Sequence, residues 1–389
     1  MNKKNVTLYY GLIMATYSVG YVTMSAFSSL YLLDIGLSNG MVGILLAIAS
    51  MVSVLLQPPV GNLIDKNPKI STKGALLSMG IIIFLLGLII VINPVKSITF
   101  TTIIYGFDIM LLMLAQPFLN ALGMDAINYG YPINFGVGRS MGSMGYALGS
   151  FAFGRISIIV GPKSVPIAFS IAFMILCVLL FIYPVQKIET LPSDEISDEK
   201  ENPFLFLLKY KKFAVMLLGL ILVYFSHALI NTFNLQIVVS KNGNSADMGS
   251  ATAIAAVCEL ITMLIFPLYL KKFRLSSLMR FSCIFFVLKT FFSFLVTNVL
   301  SFFIIQGFQM FGWGIMSMGI VYYVNDLVGE TDKAQGQAYA GMAYTIAAVL
   351  ATFLGGNIID QLGVNMMLII GSIAALIGSV IFSFNVERT

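Results

Sequence analysis

Gln57-Pro58-Pro59-Val60-Gly61-Asn62-Leu63-Ile64-Asp65-Lys66-Asn67-Pro68-Lys69 joins two apolar blocks, 40–63 and 74–93. Each block has the length of a bilayer-crossing helix, about 20 residues, so the stretch is read as a short loop at a membrane face. Gly61 removes a side chain where a neighbouring helix can approach closely. Asp65 falls at a helix C-terminus, where the dipole disfavours negative charge. It therefore requires a partner, either the nearby lysines or the N-terminus of another helix. A positively charged inner loop accounts for Lys66 and Lys69 but not for Asp65.

Further blocks of the same kind lie on either side. Before the loop is 6–33. After it come 97–122, 137–160 and 164–186, then, beyond a polar break, 212–239, 247–270, 275–297, 300–324, 335–359 and 363–385. The runs are continuous and lack the period of two that barrel strands require, so they are read as helices. The composition agrees. Of 389 residues, 58% are apolar and 10% charged, against roughly 25% charged in soluble domains. That excludes an ordinary cytosolic protein, a disordered chain and a collagen-like one. Cys177, Cys258 and Cys283 have no ligand-like spacing, and His227 is the single histidine. These argue against a disulfide framework, a metal site or a Ser-His hydrolase. The net charge of +5 is spread among hydrophobic blocks, which argues against nucleic acid as a partner.

Orientation follows from the basic residues. With the N-terminus inside, only Lys96, Arg155, Lys163 and Lys241 of the 22 Lys and Arg fall on the outer side, and Lys289 lies within a span. Both termini are therefore expected in the cytoplasm, and the first block is too long for a cleaved signal peptide. The polar break divides the chain into an N-terminal six-helix bundle (1–186), a cytoplasmic linker (187–211) and a C-terminal six-helix bundle (212–389). Its stretch 187–201 holds Glu189, Asp194, Glu195, Asp198, Glu199 and Glu201 and reads as solvated, a regulatory docking site being the alternative. Gly154 and Gly161 close the fifth span, and Gly356 and Gly363 close the eleventh at the same spacing. Ser38…Met41-Val42-Gly43 and Ser245…Met248-Gly249 likewise open the second and eighth spans. A duplicated half with a central site is the architecture of many secondary transporters.

With Gly61, Asp65, Lys66 and Lys69 in place, the loop resembles the G-x-x-x-D-[K/R]-x-x-[K/R] pattern of the major facilitator superfamily. The resemblance implies twelve transmembrane helices in two pseudo-symmetric six-helix bundles, alternating access, a monomer, and a gating role for these four residues. A narrower likeness is to the oligosaccharide and nucleoside proton-symporter branch, which includes lactose permease-like and phenylpropionate permease-like proteins. It rests on Leu56 to Lys66, on Phe135-Gly136…Arg139…Gly142-Ser143-Met144-Gly145-Tyr146, on Ser226-His227-Ala228, on Glu259, and on Gly356-Asn357-Ile358-Ile359-Asp360…Gly363.

Ionisable and amide side chains inside spans are costly, and each is a functional candidate. On the fifth span Arg139, Ser143, Tyr146 and Ser150 share one face, and Gly142, Gly145 and Gly149 form a second stripe suited to close packing. The resemblance implies that Arg139 binds substrate hydroxyls and Tyr146 stacks on a ring; otherwise Arg139 is a charge at the cytoplasmic end. Arg155, on the opposite face, is expected to snorkel to headgroups. Tyr224, His227, Asn231 and Asn234 form a face of the seventh span, with His227 either in the cavity or structural. Glu259 and Lys289 lie deep in the eighth and ninth spans, where opposite charges would neutralise each other, as a structural pair or in proton coupling. Asp108 lies mid-span in the fourth, about 80° round from Gln116 and Asn120. Gln306, Gln309 and Trp313 share a face of the tenth, Trp313 as a ring platform or a packing residue.

The chain also departs from lactose permease-like members. Asn120 stands where they carry a glutamate; Gln306, Gln309 and Gly312 replace Lys, His and Glu; Tyr344 replaces a lysine. Disaccharide specificity and that proton relay do not transfer. The expected substrate contacts are Asn120, Arg139, Tyr146, His227, Asn231, Gln309 and Trp313, and the expected proton-coupling residues are Asp108, Glu259 and Lys289. No cofactor, metal or ATP-binding loop is indicated. The expectation is a secondary transporter importing a small polar metabolite (a sugar, nucleoside or small organic acid) with protons. A proton-driven exporter of drugs or metabolites is the alternative, ahead of a membrane enzyme or sensor.

Overall fold

A computed structural model describes residues 6–67, 70–93, 95–184, 203–329 and 332–387. Among them there are helices and turns and no strand. Ten helices are long and apolar enough to cross a membrane. The first expected span is broken into α1 (Val6–Tyr21), a π-helical turn (Val22–Ala26) and α2 (Ser28–Asp34). The eleventh and twelfth run through one element, so all twelve are accounted for.

The chain packs as two compact units, Met1–Ser38 with Ile44–Asp194, and Asn39–Gly43 with Glu195–Thr389. In the first unit α3 (Asn39–Lys66), α4 (Thr72–Ile92), α5 (Ile98–Asn128), α6 (Phe135–Val160) and α7 (Ser164–Ile182) follow α2. Side-chain caps start three of them: Ser71 accepts from the Gly74 amide, Ser97 from Phe100 and Asn134 from Val137, each satisfying one of the donors a helix start leaves over. The glycine stripe of α6 faces α1. A Cβ on Gly145 would sit 2.6 Å from the Ala15 carbonyl oxygen, and one on Gly142 3.3 Å from Ser18 Oγ. The two helices approach this closely because those positions lack side chains. At the π turn, Tyr105 donates to the Met24 carbonyl (2.7 Å), while Tyr17 donates to the Leu112 carbonyl (2.7 Å), tying α5 to the first span.

The second unit holds α8 (Pro203–Lys209), α9 (Lys211–Thr232), α10 (Asn234–Ser240), α11 (Ser245–Leu270), α12 (Leu275–Leu295), α13 (Val299–Gln306), a 3₁₀ turn (Gly307–Met310), α14 (Trp313–Leu327) and α15 (Lys333–Asn385). The stretch 187–201 of the expected linker, read as solvated, lies outside the described residues. The linker's last part holds α8, with Phe206 buried and stacked on Tyr339 at 5.2 Å. Lys209 and Tyr210 both reach Asp332, each at 2.7 Å. Gly219 lets α9 lie against the α15 backbone, where a Cβ would meet the Phe382 nitrogen at 2.6 Å.

The internal repeat has a backbone signature. Gly161, which ends α6, has φ 82°, ψ −175°, and Gly363, which kinks α15, has φ 82°, ψ 169°. That conformation is essentially restricted to glycine, and both halves use it at the same joint.

Candidate functional site

The chemistry-bearing side chains of the second unit gather where α9, α11, α12, α14 and α15 meet. His227 on α9 is 3% exposed, and its ring lies flat on the indole of Trp313, centroids 4.5 Å apart and planes 8° from parallel. Tyr224 packs on Trp313 at 5.4 Å, Tyr344 of α15 on Trp313 at 5.1 Å, and Phe286 of α12 edge-on to His227 at 5.6 Å. The expected ring platform at Trp313 is thus covered on one face by imidazole. Phe286 and Tyr344 are members of the cluster that the helical stripes did not single out, because each comes from a different helix.

His227 Nε2 is 2.9 Å from Asn231 Nδ2. An amide NH₂ only donates, so in this arrangement Nε2 accepts and the ring proton sits on Nδ1, which is buried without a partner. This tautomer follows from the amide orientation assigned to Asn231. The expected fourth member of the stripe leaves it. α9 ends at Thr232, and Asn234, in α10, donates to Thr252 Oγ1 at 2.9 Å.

Glu259 and Lys289 do not pair directly, contrary to expectation. No ion pair within 4.0 Å links them among the described residues. The buried Lys289 ammonium donates to Gln309 Oε1 at 2.6 Å, and the Glu259 carboxylate lies near both Gln309 and Trp313. Gln309, expected as a substrate contact, thus holds the Lys289 ammonium close to Glu259. The cause is local. The helix tightens to a 3₁₀ turn over Gly307–Met310, which takes Gln309 off the helical register that set it beside Gln306 and Trp313. The opened backbone is re-used: Ser282 donates to the Gly312 carbonyl (2.7 Å) and Thr262 to the Met310 carbonyl (2.8 Å).

In the first unit Asp108 is fully buried, and neither carboxylate oxygen has a hydrogen-bond partner among the described residues. Gln116 is exposed and Asn120 half-buried, in line with the angular offset along α5. Arg139 is exposed in the second turn of α6 and lies near Tyr10. Tyr146 is half-buried with its ring 6.4 Å from that of Tyr21. Arg155 does not extend away from the chain. Its guanidinium covers the Phe151 ring at 3.4 Å and donates to the Phe151 carbonyl.

Of the expected gating residues only Gly61 is open to inspection. Among the described residues the nearest atom to a Cβ there is Phe118 Cε1 at 3.9 Å, an ordinary contact and not the close approach expected for this glycine. The side chains of Asp65 and Lys66, and Lys69 altogether, lie outside the described residues. Among the described residues no cluster of His, Cys, Asp and Glu could hold a metal ion.

The model of the MFS_1 like family matches residues 12–370. No curated protein sequence matches the chain. Among solved structures, a variant of the nucleoside transporter NupG is similar with a TM-score of 0.83 and 12% identity, covering 98% of this chain and 100% of that one. A D-xylose-proton symporter gives 0.72 at 13%, with 99% and 98% covered. A bacterial homologue of the iron transporter ferroportin, in its inward-facing state, gives 0.70 at 15%, with both chains covered in full. At these identities the likeness carries the fold.

Proposed function

The chain belongs to the MFS_1 like family of the major facilitator superfamily, and from that premise we propose that it imports a small polar metabolite with protons. It is an integral membrane protein and a secondary transporter, not an enzyme. The observation that carries proton coupling is the grouping of Lys289, Gln309 and Glu259. A carboxylate and an ammonium lie within neighbouring spans, and the neutral amide that holds the ammonium lies near the carboxylate as well. A proton gained or lost at Glu259 changes the field at the Gln309 amide, and so the hydrogen bond that holds the Lys289 ammonium. Asp108, sealed without a donor among the described residues, is proposed as a second proton carrier.

The substrate reading rests on the neighbouring rings. His227, Asn231 and Trp313 combine a buried Nδ1–H, an exposed amide and the flat face of an indole, a set that suits a planar or ring-shaped polar solute. Similar structures carry the names of a nucleoside transporter and a xylose-proton symporter, which supports a nucleoside or a sugar. On the first unit Asn120, Arg139 and Tyr146 are proposed as further contacts. Arg139 would offer five fixed donors to hydroxyls or a carboxylate. We place the protein in the cell membrane as a monomer with both termini cytoplasmic, its bundles 1–186 and 212–389 joined by 187–211. Gly61, Asp65, Lys66 and Lys69 remain the proposed gate on that side.

The test is uptake into proteoliposomes, against protein-free liposomes, of tritiated uridine, labelled xylose and labelled gluconate under an inside-alkaline pH gradient. One class is expected to accumulate above the outside level, and a protonophore is expected to abolish the excess. Accumulation that ignores the gradient would remove proton coupling, and gradient-driven loss of solute from the vesicles would reverse the direction.

A further inference from the structure

Asp360, near the end of the first half of α15, carries an arrangement to which neither the family likeness nor the proposed function gives a role. Its carboxylate accepts hydrogen bonds from the start of α3, among them Asn39 N (3.1 Å), Asn39 Nδ2 (2.9 Å) and Gly40 N (2.6 Å). Asn39 Oδ1 in turn accepts from Gln236 Nε2 of α10 at 2.8 Å. The backbones touch as well. A Cβ on Gly40 would lie 2.7 Å from Asn357 Oδ1, one on Gly43 would overlap the Thr352 carbonyl, and one on Gly356 would overlap that of Asn39. Three glycines are therefore required for the contact. By packing, Asn39–Gly43 belongs to the second unit, although α3 from Ile44 onward belongs to the first.

The internal repeat shows what is unusual here. The eighth span begins with its own cap: Asn244 accepts from the Asp247 amide, and the Asp247 carboxylate accepts from the Asn244 amide. Aligning Ser38…Met41 with Ser245…Met248 puts Gly40 opposite Asp247. The first turn of α3 has no acidic residue, so the anion that favours a helix N-terminus comes from Asp360, 320 positions away. Asp360 itself is exposed, so water can compete for the same amides.

We propose that Asp360 is a releasable latch on the first turn of α3, and that letting go of this turn is a step of the transport cycle. A cap inside its own helix, like that of α11, travels with that helix. A cap borrowed from another helix can be undone by separating two surfaces, with water replacing the carboxylate. The packing glycines bring the backbones close at this contact. The cycle role rests on the alternating-access reading, whereas the latch itself is measurable without any substrate.

The test is hydrogen–deuterium exchange, followed by mass spectrometry, on the full chain in lipid nanodiscs with no ligand added. In the parent, peptides covering 38–44 and 352–361 are expected to exchange slowly and together, as one opening event. Asp360→Ala is expected to speed exchange of 38–44 by about tenfold, the scale of a lost charge-assisted contact at a helix end, and to leave α12 unchanged. Asp360→Asn, which keeps one acceptor, is expected to fall between the two and serves if the alanine variant does not fold. Unchanged exchange of 38–44 in both variants would overturn the latch. Exchange of 38–44 that is uncorrelated with 352–361 in the parent would overturn its release as a unit.

Discussion

Lys289 has three donors and, in the structure, one acceptor, the Gln309 amide oxygen. An ammonium buried in an apolar interior is costly unless it is hydrogen-bonded, so Gln309 bears on folding as well as on transport. Gln309→Leu removes the acceptor and leaves the charge in place. It is expected to cost about 1–3 kcal/mol, read as a lower melting temperature of the detergent-solubilised protein. Gln309→Glu restores an acceptor for Lys289 while setting a second carboxyl beside Glu259, and is expected to melt between the leucine variant and the parent. Equal melting of all three would show that Lys289 finds another partner. Trp313, the single tryptophan, reports on its surroundings by fluorescence. A solute that enters the ring cluster is expected to shift its emission, and His227→Leu, which strips the stacked face, is expected to alter both the starting spectrum and the shift. An unchanged spectrum at saturating solute would place binding elsewhere.

At the scale of elements, glycine distribution decides which helices can move closer and where the chain can turn. Gly363 and Gly161 both stand at φ 82°, a conformation that costs a side-chain-bearing residue about 1–3 kcal/mol. Gly363→Ala is therefore expected to destabilise the protein by that amount. Gly341→Ala, with nothing within 4 Å of the added methyl and a helical backbone, is expected to be neutral or to stabilise by up to about 1 kcal/mol. A melting comparison of the two variants checks this, and equal melting would reject the conformational argument. The paired glycines were legible in the sequence because a joint used twice leaves the same residue at the same spacing. So were the span limits, since the solvent demands some 20 apolar residues per crossing. The 3₁₀ turn at Gly307–Met310 was not, because an apolar run reads alike in either helix. With that one local tightening, Gln309 meets the Lys289 ammonium. The Asp360 contact escaped for another reason: nothing local in the sequence ties residue 360 to residue 40. Only the absence of an acid in the first turn of α3 hints at a borrowed one.

For the whole molecule, the two carboxyls lie in different units, Asp108 fully buried in the first and Glu259 half-buried in the second, and differ in what surrounds them. Glu259 lies near Gln309 and Trp313 and so adjoins the ring cluster. Asp108 touches no donor among the described residues. If transport is driven by protons through both, each must gain and lose its proton within the cycle, and neutralising either one breaks the link to the gradient. Glu259→Gln and Asp108→Asn are each expected to bring solute accumulation in proteoliposomes down to the outside level and to flatten its dependence on external pH. For Glu259→Gln the solute affinity is also expected to change, because Trp313 and Gln309 lose the negative charge beside them. For Asp108→Asn an affinity change is not expected, since no contact leads from that side chain to the rings. Gradient-driven accumulation that survives in Asp108→Asn would assign that carboxyl to packing. Survival in Glu259→Gln would leave the Lys289–Gln309 bond a structural tie and remove the main support for proton coupling.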